Sequence, residues 1–163
     1  MADSTPLIAL SIVGKLGLLR DMFNEVMVPS SVFQEVVESG KGKIGSKEVS
    51  EASWIKVMNP EGRGEIPPIL AGLDRGELDV ILLAREVKAD LVLIDEKAGR
   101  KVAKALGLKV KGTLGLLLFA CKKGFMEAEE AEEVLTKLNN SSIRISNRLM
   151  TWFREQLSYL KRG

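Results

Sequence analysis

The sequence predicts an α/β sandwich with a mainly parallel sheet. Short β-rich apolar runs alternate with helix-like stretches along the chain, as strands joined by helical crossovers do. The 163 residues suit one domain with a single sizeable core, and 45% hydrophobic with 28% charged residues is the balance of an ordinary globular protein. The most apolar strand candidate, "LVLIDE" at 91–96, runs straight into two acids, Asp95 and Glu96.

In chain order, "DSTPLIALSIV" (3–13) opens with an acid and hydroxyls and continues as an apolar helix broken by Gly14. "KLGLLRDMF" (15–23) reads as a second short helix, and "EVMVP" (25–29) as a strand closed by Pro29. "SSVFQEVVES" (30–39) follows capping-box logic, with Ser30 or Ser31 as N-cap and Gly40 and Gly42 as the stop. The Gly/Lys/Ser-rich stretch "ESGKGKIGSKEVS" (38–50) predicts a mobile loop. "SWIKVMNP" (53–60) predicts a strand, and "EGRGEIPPIL" (61–70) a loop. "LDRGELDVILLAREVKAD" (73–90) is an amphipathic helix, "LVLID" (91–95) a strand, "KAGRKVAKALG" (97–107) a helix and "LKVKG" (108–112) a strand. Three helices complete the chain: apolar "TLGLLLFACKKG" (113–124), acidic "MEAEEAEEVLTKLNN" (126–140), and "NRLMTWFREQLSYLKRG" (147–163) with Trp152, Phe153 and Tyr159.

Composition excludes several chemistries. There is no histidine, so Ser-His-Asp and Cys-His catalysis, His-based ribonuclease chemistry and the usual His-bearing zinc sites are ruled out. Proton handling and metal binding must come from carboxylates, lysines, hydroxyls or water. The lone Cys121 cannot form an internal disulfide, which points to a reducing, cytoplasmic setting. No apolar run is long enough to span a bilayer, and "MADSTPLIAL" lacks the basic start of a signal peptide. The net charge of +2 leaves any nucleic-acid affinity to local clusters of basic residues.

The acids at element ends are the distinctive feature. Asp3 precedes "PLIAL", Glu35 lies in "VFQEVV", Glu77 and Asp79 begin the "ILLA" helix, and Asp95 and Glu96 follow a strand. Singly, each has a plain structural role as a cap, a helix-dipole charge or a solvated surface acid. Gathered together, carboxylates repel one another unless cations neutralise them, and a hard divalent ion with oxygen ligands does this. On a helix, residues two apart point about 200° away from each other, so one of Glu77 and Asp79 faces such a site. Glu77 shares the apolar side with Val80, Ile81, Ala84 and Val87, which favours it, unless the helix starts late enough for both to reach in.

"DSTPLI" (3–8), "VPSSVFQEV" (28–36), "GELDVILLA" (76–84) and "LVLIDEKAGRKVAKALGLKVKGTLGLLL" (91–118), in this order, resemble the PIN-domain family of small metal-dependent ribonucleases, which includes VapC-like toxins. The resemblance is closest to a largely archaeal branch and spans roughly residues 3–125. It implies a three-layer α/β/α sandwich with a central, mainly parallel sheet. It also implies an acidic pocket for Mg²⁺ or Mn²⁺ and cleavage of single-stranded RNA by a metal-activated water. The catalytic and metal-binding acids fall on Asp3, Glu35, Glu77 and Asp95, with Asp79 the other option for the third and Glu96 the neighbouring option for the fourth. Ser4, Thr5 and Thr113 are candidate hydroxyl supports. A role as the toxin of a toxin–antitoxin pair, an antitoxin partner and a homodimer are implied as well. The alternative is a PIN-like binding or regulatory module with weak or lost catalysis. Residues 1–125 would form the domain core, and 126–163 a helical extension packed on it. Only Met1 and Ala2 stand where the family's first strand should be. Either the start lies upstream, or Asp3 sits on a frayed end.

Basic residues that could steer phosphates are Lys41, Lys43, Lys47, Arg63, Arg75, Arg100, Lys101, Lys104, Lys122 and Lys123, most of them expected to be ordinary solvated surface. No aromatic-studded sheet motif of the RRM type is present.

Overall fold

Two short parallel strand pairs form the sheet. β1 (Val26–Pro29) pairs with β2 (Ile55–Met58), Val26 opposite Ile55 and Pro29 opposite Met58. β3 (Val92–Leu93) pairs with β4 (Val110–Lys111), Val92 opposite Val110. The computed structural model describes residues 1–62 and 66–162. Arg63 therefore lies outside the described residues.

Residues 1–3 join the two pairs into one sheet. Ala2 bridges Leu93 in parallel register. The Leu93 N–H donates to the Met1 carbonyl at 2.9 Å, and the Asp3 N–H to the Leu93 carbonyl at 3.0 Å. On the other side the Ala2 N–H donates to the Met27 carbonyl at 3.2 Å. The order is thus β2, β1, the 1–3 segment, β3, β4. The first strand is as short as the sequence implies, but it is not frayed. It is held on both sides, and the Met1 ammonium donates to the Leu91 carbonyl at 3.2 Å. Burial lowers that ammonium to about 6, against a smaller opposing pull from Asp90.

The helices are α1 (Ser4–Ile12), α2 (Gly17–Met22), α3 (Ser30–Phe33), α4 (Ser46–Glu51), α5 (Arg75–Glu86), α6 (Lys97–Ala105), α7 (Thr113–Lys122), α8 (Ala128–Asn139) and α9 (Asn147–Arg162). α3 continues as a wider π turn over Gln34–Glu38. At its end a Cβ on Gly40 would lie 2.4 Å from the Val36 carbonyl oxygen, so only glycine lets the chain leave the turn there. The helices cover the sheet to give the α/β sandwich. α3 and α5 pack on each other and on β1, while α1, α7, α8 and α9 pack together. Leu7, Leu10, Ile81, Leu83, Ile94, Leu116, Leu117, Leu135, Leu138 and Phe153 are fully buried. Each such side chain contributes on the order of 1.5–3 kcal/mol on leaving water.

One expectation changes. The stretch 38–50 is not loop throughout, because its second half is helix α4. Gly45 turns the chain at φ +102°, and the Glu48 carboxylate accepts from its N–H at 2.8 Å. The Ser46 hydroxyl donates to the Val37 carbonyl, and Val49 is buried. A single buried apolar residue is too weak a periodic signal to reveal such a helix. At the other end of the chain Phe153 is buried in the core, whereas Trp152 and Tyr159 are exposed at 40% and 64%.

Candidate active site

Sheet order decides where the acids meet. The chain runs from the central 1–3 segment outward to β1 and β2, then crosses to β3 and β4 on the other side. The order reverses beside the central segment, and in open α/β sheets ligands bind outside the carboxyl ends of strands at such a switch. Asp3 ends the central segment, and Asp95 and Glu96 follow β3.

Asp3 is 5% exposed. Its carboxylate accepts from the Ser4 N–H at 2.8 Å and caps α1. The Ser4 hydroxyl donates to Glu35 Oε1 at 3.2 Å, which ties the π turn to the first turn of α1. Gly76, in the first turn of α5, closes the group. A Cβ there would meet Glu35 Oε2 at 3.4 Å and Asp3 Oδ1 at 3.5 Å. Its lack of a side chain leaves room for both carboxylates.

α5 brings the next two acids. Asp74 accepts from the Glu77 N–H at 2.8 Å, and Glu77 accepts from the Asp74 N–H at 3.3 Å, a reciprocal capping box. Glu77 is 7% exposed and lies against α6, where a Cβ on Gly99 would be 3.3 Å from Glu77 Oε1. Burial raises the Glu77 carboxyl above its ordinary range, opposed by the Asp74 hydrogen bond and assisted by the charges of Asp74, Glu96 and Glu35. Asp3 is pushed up to about 7, first by burial; the Ser4 hydrogen bond opposes the shift, and the charges of Asp74, Glu77 and Glu35 add to it. Asp3 and Glu77 therefore both feel the charges of Glu35 and Asp74, and Glu96 adds to Glu77.

Two predicted acids are engaged elsewhere. Asp79 is 1% exposed, accepts from the Ser31 hydroxyl at 2.7 Å and has Arg75 Nε at 3.9 Å. It ties α5 to α3. Asp95 accepts from both the Thr113 N–H at 2.8 Å and the Thr113 hydroxyl at 2.6 Å, so it caps α7 rather than the helix that follows it. Gly112 closes on this pair, because a Cβ there would meet Asp95 Oδ1 at 2.9 Å and Arg100 Nη1 at 3.1 Å. Thr5 is half-buried in the first turn of α1. Asp74 is absent from the acids singled out in the sequence, although the D-x-x-E spacing to Glu77 is the capping-box signal that reveals it.

The donor chemistry fits a hard divalent cation. The set is all oxygen, and such an ion offsets both the burial that chiefly raises Asp3 and Glu77 and the smaller repulsion from neighbouring acids. Among the described residues no three acids already stand as a group that could hold one ion. No described helix is long and apolar enough to cross a membrane.

The sequence matches no curated protein and no solved structure. Over residues 1–158 it matches a family model described as a PIN domain. Domains of that kind are nucleases in general, bind RNA and use divalent metal ions. Four separated acid-bearing segments, a parallel sheet whose order reverses beside Asp3 and a match along nearly the whole length agree, and the chain belongs to the PIN-domain family.

Proposed function

We propose that the protein is a metal-dependent endoribonuclease that cleaves phosphodiester bonds in single-stranded RNA. The observation that carries this is the buried pair Asp3 and Glu77, which repel each other, with Glu35 and Asp74 beside them and Glu96 after β3 acting on Glu77. Such a set costs stability without a cation, which a purely structural group of acids would not be expected to do. Asp3, Glu35 and Glu77 would hold Mg²⁺ or Mn²⁺, with Glu96 and Asp95 at the rim and Asp79 the other candidate for the third acid. When bound, the ion makes water a better nucleophile and offsets charge on the phosphoryl oxygens.

The remaining work belongs to the chain. The Ser4 hydroxyl orients Glu35, and Thr113 fixes Asp95 against rotation. With no histidine present, protons move through carboxylates and water. Asp3, raised to about 7, is partly protonated near neutrality, and cation binding would displace that proton. Action as the toxin of a toxin–antitoxin pair, with an antitoxin partner and a homodimeric state, is the finer form of this proposal. One observation favours the alternative of a weakly catalytic binding module: Asp95 is already engaged by Thr113.

The test is calorimetric titration of Mn²⁺ into chelator-treated protein, together with cleavage of a labelled single-stranded RNA. Wild type should bind and cleave, and Asp3→Asn and Glu77→Gln should lose both while remaining folded. Metal binding without cleavage would select the binding module. No metal binding would refute both readings.

A further inference from the structure

We propose that the outer face of α7 and the edge strand β4 form the track that carries single-stranded RNA away from the carboxylates. The inference rests on the nuclease reading and names the surface that holds its substrate. Lys111 Nζ lies 5.3 Å from the centroid of the Phe119 ring, and Lys123 Nζ lies 5.6 Å from the same centroid. Two ammonium groups thus share one aromatic ring, at a distance where a cation and a ring attract.

The local sequence builds this arrangement. Lys111 is the last residue of β4, directly before the Gly112–Thr113 corner that holds Asp95. Its stem lies over Gly115, whose missing Cβ would sit 3.5 Å from Lys111 Cβ. Gly115, Phe119, Lys122 and Lys123 recur at helical spacing and share one face of α7. Lys109, Lys122 and Lys123 are exposed around them, and Phe125 is 48% exposed just beyond. Among the described residues none of these four lysines is in an ion pair.

Charge chooses the occupant. The acids near α7, Glu127, Glu129 and Glu130, act on Cys121. Cys121 lies two residues past Phe119, about 200° around the helix. With its four lysines in no ion pair among the described residues, the face is positive, and it begins beside the corner where Arg100 and Asp95 lie near Gly112. A polyanion leaving the Asp95 corner would pass Arg100 and Lys111, then Lys123.

The experiment compares wild type with the Lys111→Ala/Lys123→Ala double variant on a labelled oligouridylate. Binding is measured in chelator across a salt series, and cleavage with Mn²⁺. The double variant should bind on the order of tenfold more weakly, and its slope of log affinity against log salt should be shallower by about 1.4, since each single-strand phosphate contact contributes about 0.7. Its KM should rise with kcat unchanged, and Lys111→Arg/Lys123→Arg should restore the wild-type slope. If wild type cleaves and the double variant matches it in slope and KM, the track is wrong and the nuclease reading stands. If wild type neither binds nor cleaves the RNA, the nuclease reading itself has failed. Loss of polyglutamate binding with RNA binding intact would reassign the face to an acidic protein and overturn the track.

Discussion

Asp3 behaves as two residues in one. Its carboxylate caps α1, a role that asparagine fills equally well, and it carries a charge that its surroundings resist. Its folded value of about 7 lies above the ordinary 3.8, so between those values the folded chain holds a proton that the unfolded chain gives up. Metal-free stability should therefore fall as pH rises from about 4 to about 7 and level off above, with Glu77 acting in the same direction. At about 1.4 kcal/mol per pKa unit the loss is on the order of a few kcal/mol. Melting of the chelator-treated protein at pH 5.5 and pH 8 measures it, and Asp3→Asn should flatten most of the difference. A flat wild-type profile would show that Asp3 ionises freely. Asp79 matters through its partner rather than its surroundings. It is buried and bonded to Ser31, so Asp79→Ala should lower stability by about 1–3 kcal/mol, as urea unfolding would show.

At the scale of elements, glycines separate turns that need an absent Cβ from helices that merely tolerate it. Gly40→Ala places a carbon against the Val36 carbonyl and should cost about 1–3 kcal/mol. Gly115→Ala meets only the stem of Lys111 at ordinary contact and should stabilise α7 by about 0.5–1 kcal/mol. Thermal melts of the two variants should move in opposite directions; a shared direction would contradict this packing. Elements also show what was legible in the sequence. The helix over 73–90 and its strands were readable because periodicity and punctuation agree there. The capping helix α4 was not, because Val49 is its one buried apolar side chain. Glu77 and Asp79 could be told apart only in part, since both proved buried. Their difference lies in partners, Asp74 for one and Ser31 for the other, and partners distant in sequence leave no local signal. The sequence marks Asp95 as a candidate ligand or a cap, and it caps α7, the second helix after it, across a strand pairing.

For the whole molecule, the question is where the domain ends. Phe153 and Leu157 of α9 and Leu135 and Leu138 of α8 share the core with Leu116 and Leu117 of α7. A chain cut after residue 125 would expose the α7 side chains on that face. The shortened chain should fail to give a cooperative melt, and Phe153→Ala in the full chain should cost about 3–5 kcal/mol. A shortened chain that melts cooperatively near the wild-type temperature would make residues 126–163 an appendage.

The central strand carries a consequence for exchange with solvent. Amides next to a chain end usually trade their hydrogens for deuterium within moments, because ends fray. Those of Ala2 and Asp3 are bonded to Met27 and Leu93, one on each side of the sheet's midline. Neither can open while both halves stay in place. Near the very start of the chain, these two hydrogens should be among the slowest to leave, at the rate at which the whole fold comes apart.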